Sequence, residues 1–189
     1  VVNQVIATMS ASIAPFVYIL AAGGILQGCL ILTKMVWPGF EDTGAYEVFS
    51  FMSWTPFVFL PVLIAIGASK HFKVNTYLAV TIAAALISTS WAVIAGRVAG
   101  GEGVTLFGIP LHPTTYTATV LPAIFMVWVL SYLERWLDRH LNDTIRPLFT
   151  PFFSLVIMVP LTLLVIGPFT TWIAQGMANL YNGLYDLAP

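Results

Sequence analysis

The sequence predicts an all-α, polytopic membrane protein with five transmembrane helices and interfacial amphipathic helices. Of its 189 residues, 59% are apolar and only 8% are charged, whereas an ordinary soluble domain has roughly 45–50% and about 25%. Five long stretches also contain no Asp, Glu, Lys or Arg. Seven basic and eight acidic side chains are too few to solvate a soluble fold of this size. We therefore expect the lipid bilayer to cover much of the chain.

The overall charge excludes one class of partner. The formal net charge is −1, and a nucleic-acid-binding surface needs clustered basic side chains to displace counterions. We therefore expect no nucleic-acid partner. Cys29 is the single cysteine, which excludes an internal disulfide framework. Because Cys29 lies in an apolar stretch without a cationic neighbour, we expect a buried, inert thiol.

The five transmembrane helices follow from the charge-free stretches. Roughly 20 apolar residues, rising about 1.5 Å each, cross a hydrocarbon core of about 30 Å, and an unpaired charge at that depth is costly. Trimmed at their flanking turn residues, the stretches predict spans near residues 10–33, 49–69, 74–96, 118–133 and 151–171.

The segments between the spans predict turns, a hairpin and two interfacial helices. Residues 37–44 are a run of turn formers. Residues 100–113 combine glycines, a short β-like stretch and two prolines, which predicts a small hairpin that dips toward the membrane. Leucines recur at helical spacing with charges between them in 133–145, and polar residues share one side of 172–185. Both patterns are typical of an amphipathic helix at the interface.

The basic residues predict the orientation. Five of the seven follow the second or the fourth predicted span, namely Lys70, Lys73, Arg135, Arg139 and Arg146. Alternation of five helices places both of these segments on one side of the membrane, and the positive-inside rule makes that side cytoplasmic. The N-terminus is then expected to be cytoplasmic too.

Polar groups at membrane depth are the first candidates for function. Gln27 is the one large amide in the first predicted helix. It is expected either to form an interhelical hydrogen bond or to contact a substrate. Gly24 and Gly28 form a pair of small residues four apart, which predicts close packing of another helix.

Few residues outside this helix point to chemistry. His112, between two prolines of the external segment, is a candidate substrate contact, and no second ligand beside it supports a metal site. The sequence contains no phosphate-binding glycine loop and no nucleophile or metalloprotease motif. We therefore expect no catalytic residue, no cofactor and no metal. Prolines recur instead at intramembrane depth, where kinked helices suit a transporter or channel scaffold.

Three stretches resemble one known family, and together they cover nearly the whole chain. Residues 12–28 resemble its opening helix, with an apolar-Pro start and a small-residue turn that ends in GGILQG. Residues 108–124 are similar to its signature GIP…YxSSVIPAI. Residues 128–137 and 151–168 then resemble its WxxSYLE and VxPLTxxxIGP stretches. The family is the membrane-embedded IIC component of bacterial phosphoenolpyruvate-dependent sugar phosphotransferase transporters, in the glucose superfamily and nearest its β-glucoside, sucrose and trehalose branch.

The resemblance implies a role as well as a fold. By it, the chain is the N-terminal half of a IIC domain, a scaffold that forms the homodimer in the bacterial inner membrane. A further half, which binds the sugar, moves it across the membrane by an elevator-like step, and IIB and IIA domains supply the phosphoryl group. Gln27 stands where β-glucoside members often have Lys, and Thr117 and Thr119 stand near the family's serines.

Two other classes of function stay open on the sequence. One is a self-contained five-helix protein that binds a small molecule and serves as a subunit of another transporter. The other is a structural or receptor membrane domain, which predicts no sugar-dependent change.

Overall fold

The computed structural model describes residues 14–187, and most of them are helical. The all-α prediction is confirmed. The α-helices are α1 (Val17–Val36), α2 (Gly44–Val58), α3 (Leu60–Phe72), α4 (Thr76–Leu86), α5 (Thr89–Ala99), α6 (Leu121–His140), α7 (Arg146–Leu161) and α8 (Gly167–Leu187). A π-helical segment, Thr162–Ile166, joins α7 to α8. Short 3₁₀ helices lie at Ala14–Phe16 and Pro38–Asp42, and β1 (Thr105–Leu106) pairs with β2 (Ile109–Pro110).

Four helical stretches of the described part are long and apolar enough to cross a membrane. They are Val17–Val36, Gly44–Phe72, Thr76–Ala99 and Arg146–Asn179. They correspond to the first, second, third and fifth predicted spans, although residues 10–13 of the first lie outside the described residues. The fourth predicted span, 118–133, corresponds to α6, which has 20 residues and ends in two charged turns. It is not one of these four stretches, so its crossing of the membrane stays a prediction.

The second and third spans are each built from two consecutive helices. Pro61, in the first turn of α3, cannot donate a backbone hydrogen bond into the preceding turn, so the helix breaks at Phe59. Ser88 breaks the third span, because its hydroxyl accepts the Trp91 N–H at 3.2 Å and so caps α5. The spans were predicted from the absence of charged residues, which reveals neither the effect of Pro61 nor the Ser88 cap.

The two predicted interfacial helices are continuous with the spans before them. The segment predicted at 133–145 begins as the last turns of α6, which ends at His140. The segment predicted at 172–185 lies within α8, which starts at Gly167 without a break at residue 172. Whether these turns lie at the membrane interface stays a prediction.

The core lies where α3, α4, α6 and α7 meet. Alanines on α3 and α4 let these helices approach closely, while Met126, Leu130 and Met158 fill the centre with no exposed surface. By contrast, α1 packs mainly on α2 and leaves most of its surface open. The described chain is therefore a four-helix core with a peripheral α1–α2 pair.

Candidate functional site

The segment between α5 and α6 folds into the predicted hairpin. Thr105 faces Pro110 and Leu106 faces Ile109 in the antiparallel pair. The two turn residues, Phe107 and Gly108, have φ angles of 53° and 83°, as a two-residue type I′ turn requires. The predicted hairpin is confirmed, and its dip toward the membrane stays a prediction. Phe107 lies at the tip of the hairpin and is 87% exposed.

Tyr116 anchors the remainder of this segment to the helices. Its side chain is 1% exposed and packs on Trp91 of α5, with ring centroids 6.0 Å apart. Trp91 Nε1 also donates a hydrogen bond to the Thr114 carbonyl oxygen at 3.0 Å. The phenol ring lies directly against Gly167, where a Cβ would overlap the ring and its hydroxyl. The segment is therefore fixed both to α5 and to the start of α8.

The Tyr116 hydroxyl is a polar group buried in the contact between this segment and α8. Burial raises the pKa of this phenol to about 12, and hydrogen bonding with the Thr114 side chain opposes that shift, although no hydrogen bond of good geometry reaches the hydroxyl among residues 14–187. It adjoins the π-helical segment 162–166, and π-helical turns occur frequently at functional sites.

Gln27 lies in the contact between α1 and α2. Its Oε1 accepts a hydrogen bond from Ser53 Oγ at 2.6 Å, and Ser53 is 1% exposed. The Ser50 carbonyl oxygen lies 2.7 Å from the same hydroxyl. The interhelical hydrogen bond expected of Gln27 is thus confirmed. Because the Gln27 side chain is only half-buried, its amide group keeps hydrogen-bonding capacity for another partner, and substrate contact stays a prediction.

The glycine that brings α1 onto α2 is Gly23. A Cβ at Gly23 would lie 2.8 Å from the Ser53 carbonyl oxygen, whereas none at Gly24 or Gly28 would meet an atom within 4 Å. Both predicted packing glycines therefore face open space within the described chain, and a contact with a second chain stays a prediction for them. Cys29 is exposed, so the expectation of a buried thiol is wrong. The helix turns this residue away from α2.

His112 lies in the segment that Tyr116 anchors, and its side chain is exposed. Its carbonyl oxygen accepts the Thr114 N–H at 2.8 Å. The two predicted substrate contacts therefore belong to different parts of the fold, since Gln27 bonds to Ser53 of α2. Among the described residues, the hydrogen bonds of Gln27 and of His112 share no partner, and the role of His112 stays a prediction.

Three residues of these sites were missed from the sequence: Ser53, Tyr116 and Gly167. Ser53 is one of few hydroxyls in a charge-free stretch, which is a signal for an interhelical hydrogen bond. Gly167 precedes Pro168 and follows Pro160 in the same apolar stretch, a pattern typical of an irregular helix. Nothing in the sequence indicates that Tyr116 is buried against Gly167.

A carboxylate at the charged end of the bundle ties α6 to α4. The Glu134 carboxylate accepts the Asn75 backbone N–H at 3.1 Å, and the Asn75 side chain in turn caps α4. Partial burial raises the pKa of the Glu134 carboxyl, the Asn75 N–H opposes that shift, and the Asp138 charge adds to it.

This raised pKa predicts a pH dependence of stability. Because folded Glu134 binds its proton more tightly than the unfolded chain does, its contribution is fully present below the ordinary pKa of 4.5 and is lost as pH rises through the folded value. Glu134→Gln is expected to flatten the fall in unfolding temperature in detergent between about pH 4 and 7. The exposed Glu47→Gln is the control. Equal slopes for wild type and Glu134→Gln would contradict the assignment.

Comparison with known proteins places the chain in a family. Residues 10–187 match the family model for "Phosphotransferase system, EIIC". The chain is 36% identical over 181 residues to the β-glucoside-specific EIIBCA component of Dickeya chrysanthemi, covering 95% of this chain and 29% of that protein. It is 30% identical over 180 residues to the arbutin-, cellobiose-, and salicin-specific EIIBC component of Escherichia coli, covering 95% and 36%.

A sucrose-specific EIIBCA component from Pediococcus pentosaceus is 30% identical over 188 residues, with 91% of this chain and 29% of that protein covered. The chain thus spans about a third of the length of these curated relatives. No solved structure matches it significantly. The family match extends over nearly every residue of a helical chain with several candidate membrane spans, so the chain belongs to the phosphotransferase system EIIC family of membrane domains.

Proposed function

We propose that the chain is the membrane scaffold part of a sugar-specific phosphotransferase permease, which imports a sugar and couples import to phosphorylation of that sugar. The observation that carries the proposal is the family match over residues 10–187. The architecture is compatible with it, because the charge-poor bundle suits a scaffold whose ligand groups are few. The chain itself supplies no phosphorylation site in this proposal.

The sugar is proposed to be a β-glucoside or a disaccharide such as sucrose or trehalose. The support is that relatives named for β-glucosides, for arbutin, cellobiose and salicin, and for sucrose all align over at least 91% of this chain. On the chain, Gln27 and His112 are the proposed sugar contacts. Both offer polar side-chain groups of the kind that bind sugar hydroxyls, and both retain some exposure.

The proposed partners are IIB and IIA phosphotransfer domains or subunits. Relatives that align with this chain are named EIIBCA components, which supports both partners. The location proposed is the bacterial cytoplasmic membrane, with the N-terminus on the cytoplasmic side. The support for that orientation is the concentration of basic residues in the last turns of α3 and α6 and in the segments that follow them.

Uptake of labelled sugars tests the function. We expect the chain, expressed at its natural length with its phosphotransfer partners, to support uptake of a labelled β-glucoside or sucrose in a host that lacks its own system. Unlabelled cellobiose, sucrose and trehalose are then added as competitors, and the sugar that lowers the labelled uptake most is the preferred one. Gln27→Leu and His112→Ala are expected to raise the KM for uptake without loss of the protein from the membrane. Uptake of none of these sugars would contradict the proposal.

The chain is further proposed to dimerise, and Gly24 and Gly28 are proposed to contact the second copy. Support comes from the open space beside both glycines and from the exposed apolar surface of α1. Gly24→Leu/Gly28→Leu is expected to halve the protein mass measured by light scattering, after subtraction of the detergent. Gly176→Leu, at another open position, is the control. A wild-type monomer, or a double variant that remains dimeric, would refute this use of the two glycines.

A further inference from the structure

An open groove of about 660 Å³ lies between α6 and α7. Its floor is apolar and includes Val129 of α6 with Ile157 and Leu161 of α7. Its mouth, toward the charged end of α6, carries Arg135, Trp136 and Arg139. The groove therefore has an apolar floor and a basic, aromatic rim. The rim residues belong to α6, near its charged end.

The basic rim is not neutralised by the acids of its own helix. Glu134 bonds to the backbone of Asn75 on α4. Asp138 accepts a hydrogen bond from Thr150 Oγ1 at 3.3 Å and lies 4.0 Å from Arg146. Within the part of the chain that the structure describes, neither Arg135 nor Arg139 forms an ion pair with a carboxylate. Two guanidinium groups four residues apart thus leave a net positive charge at the mouth of the groove.

The guanidinium of Arg135 is held in place before any ligand binds. Its Nε donates to the Ser131 carbonyl oxygen at 2.6 Å, and its Nη2 donates to Ser131 Oγ at 2.8 Å. The group also lies over the Tyr132 ring, 5.1 Å from the centroid. These contacts direct Arg135 back along α6 toward the apolar floor, and they leave other N–H groups of the fork free for an oxyanion.

We propose that this groove binds one anionic phospholipid. Arg135 and Arg139 would donate to its phosphate, and an acyl chain would lie along Val129, Ile157 and Leu161. Guanidinium groups bind phosphate oxygens by paired hydrogen bonds, and Trp136, which is 55% exposed, is the residue type found at headgroup level. Basic pockets between transmembrane helices are known to recognise anionic headgroups. A soluble protein domain would match the arginines but not the apolar floor.

Native mass spectrometry of the natural-length protein in detergent tests this assignment, with phosphatidylglycerol and phosphatidylcholine as competing probes. We expect one phosphatidylglycerol retained per chain, in preference to phosphatidylcholine. Arg135→Gln/Arg139→Gln should weaken phosphatidylglycerol binding by about 30-fold, as two basic contacts of ordinary strength at an anionic surface imply. Lys70→Gln/Lys73→Asn removes two exposed charges outside the groove and should leave the preference unchanged. Asn tolerates the left-handed backbone at residue 73.

Two further measurements keep the test decisive if the double variant folds poorly. Arg135→Lys keeps the charge but loses the paired hydrogen bonds, so an intermediate loss of affinity is expected. Brominated phosphatidylglycerol should quench part of the tryptophan emission of the wild type. The Trp136→Phe variant should lack that quenched part. Equal retention of the two lipids, or unchanged phosphatidylglycerol affinity in the double variant, would overturn the proposal. So would a groove that takes no lipid because further polypeptide, a second copy or a phosphotransfer domain covers it.

Discussion

Gly167→Ala is expected to lower the free energy of unfolding by about 1–3 kcal/mol, the usual cost of overpacking a filled interior. The added Cβ would overlap the Tyr116 ring, whose Cζ would lie only 2.8 Å from it. The ring is 1% exposed, so it cannot move aside without displacing the segment that holds His112. Equilibrium unfolding in mixed detergent and dodecyl sulfate micelles measures the change.

The control for this prediction lies in the same helix. Gly176→Ala adds an identical methyl group in α8 where no atom lies within 4 Å, so its effect should be near zero. In a Tyr116→Ala background, Gly167→Ala should cost far less, because the overlapping ring is gone. If Gly167→Ala were as harmless as Gly176→Ala in the wild-type background, the close contact between Tyr116 and Gly167 would be refuted.

Gly23→Ala is expected to have the second largest effect, because it separates α1 from α2. Its Cβ would lie 2.8 Å from the Ser53 carbonyl oxygen, and a backbone atom cannot rotate away as a flexible side chain can. Moving the helices apart also lengthens the hydrogen bond between Gln27 and Ser53, now 2.6 Å. We expect a loss of roughly 1–3 kcal/mol in the same unfolding assay.

The neighbouring residue provides a matched comparison. Gly24→Ala makes the same change one position along α1, where no atom lies within 4 Å. The gain in helix propensity is the same for both variants, so the difference between them isolates the contact with α2. Equal stability of the two variants would show that Gly23 does not set the distance between the helices.

The transmembrane spans could be predicted because they rest on one strong physical constraint. A charged side chain in the bilayer is costly, so charge-free stretches mark the positions of the long helices even without knowledge of their packing. The breaks at Phe59 and Ile87 arise from local causes instead. A proline without an N–H and a serine that caps a helix act within a single turn, which a charge count does not detect.

The candidate site could be predicted only in part, because burial depends on the whole fold. Gln27 was identified since an amide in an apolar helix needs a partner, and Ser53 supplies one. The choice between Gly23 and the pair Gly24 and Gly28 depends on which face of α1 meets α2, and both faces carry small residues. The burial of Tyr116 depends on a contact between residues 51 positions apart, which periodicity does not reveal.

The chemical form in which a transported sugar appears tests the central claim most directly. Inverted or resealed membrane vesicles carrying the natural-length protein, with its phosphotransfer partners, are given a labelled β-glucoside or sucrose with and without phosphoenolpyruvate. A phosphotransferase permease releases sugar phosphate at the cytoplasmic face only when phosphoenolpyruvate is present. Free sugar that accumulates independently of phosphoenolpyruvate would contradict the account, and it would favour a small-molecule binding subunit of another transporter.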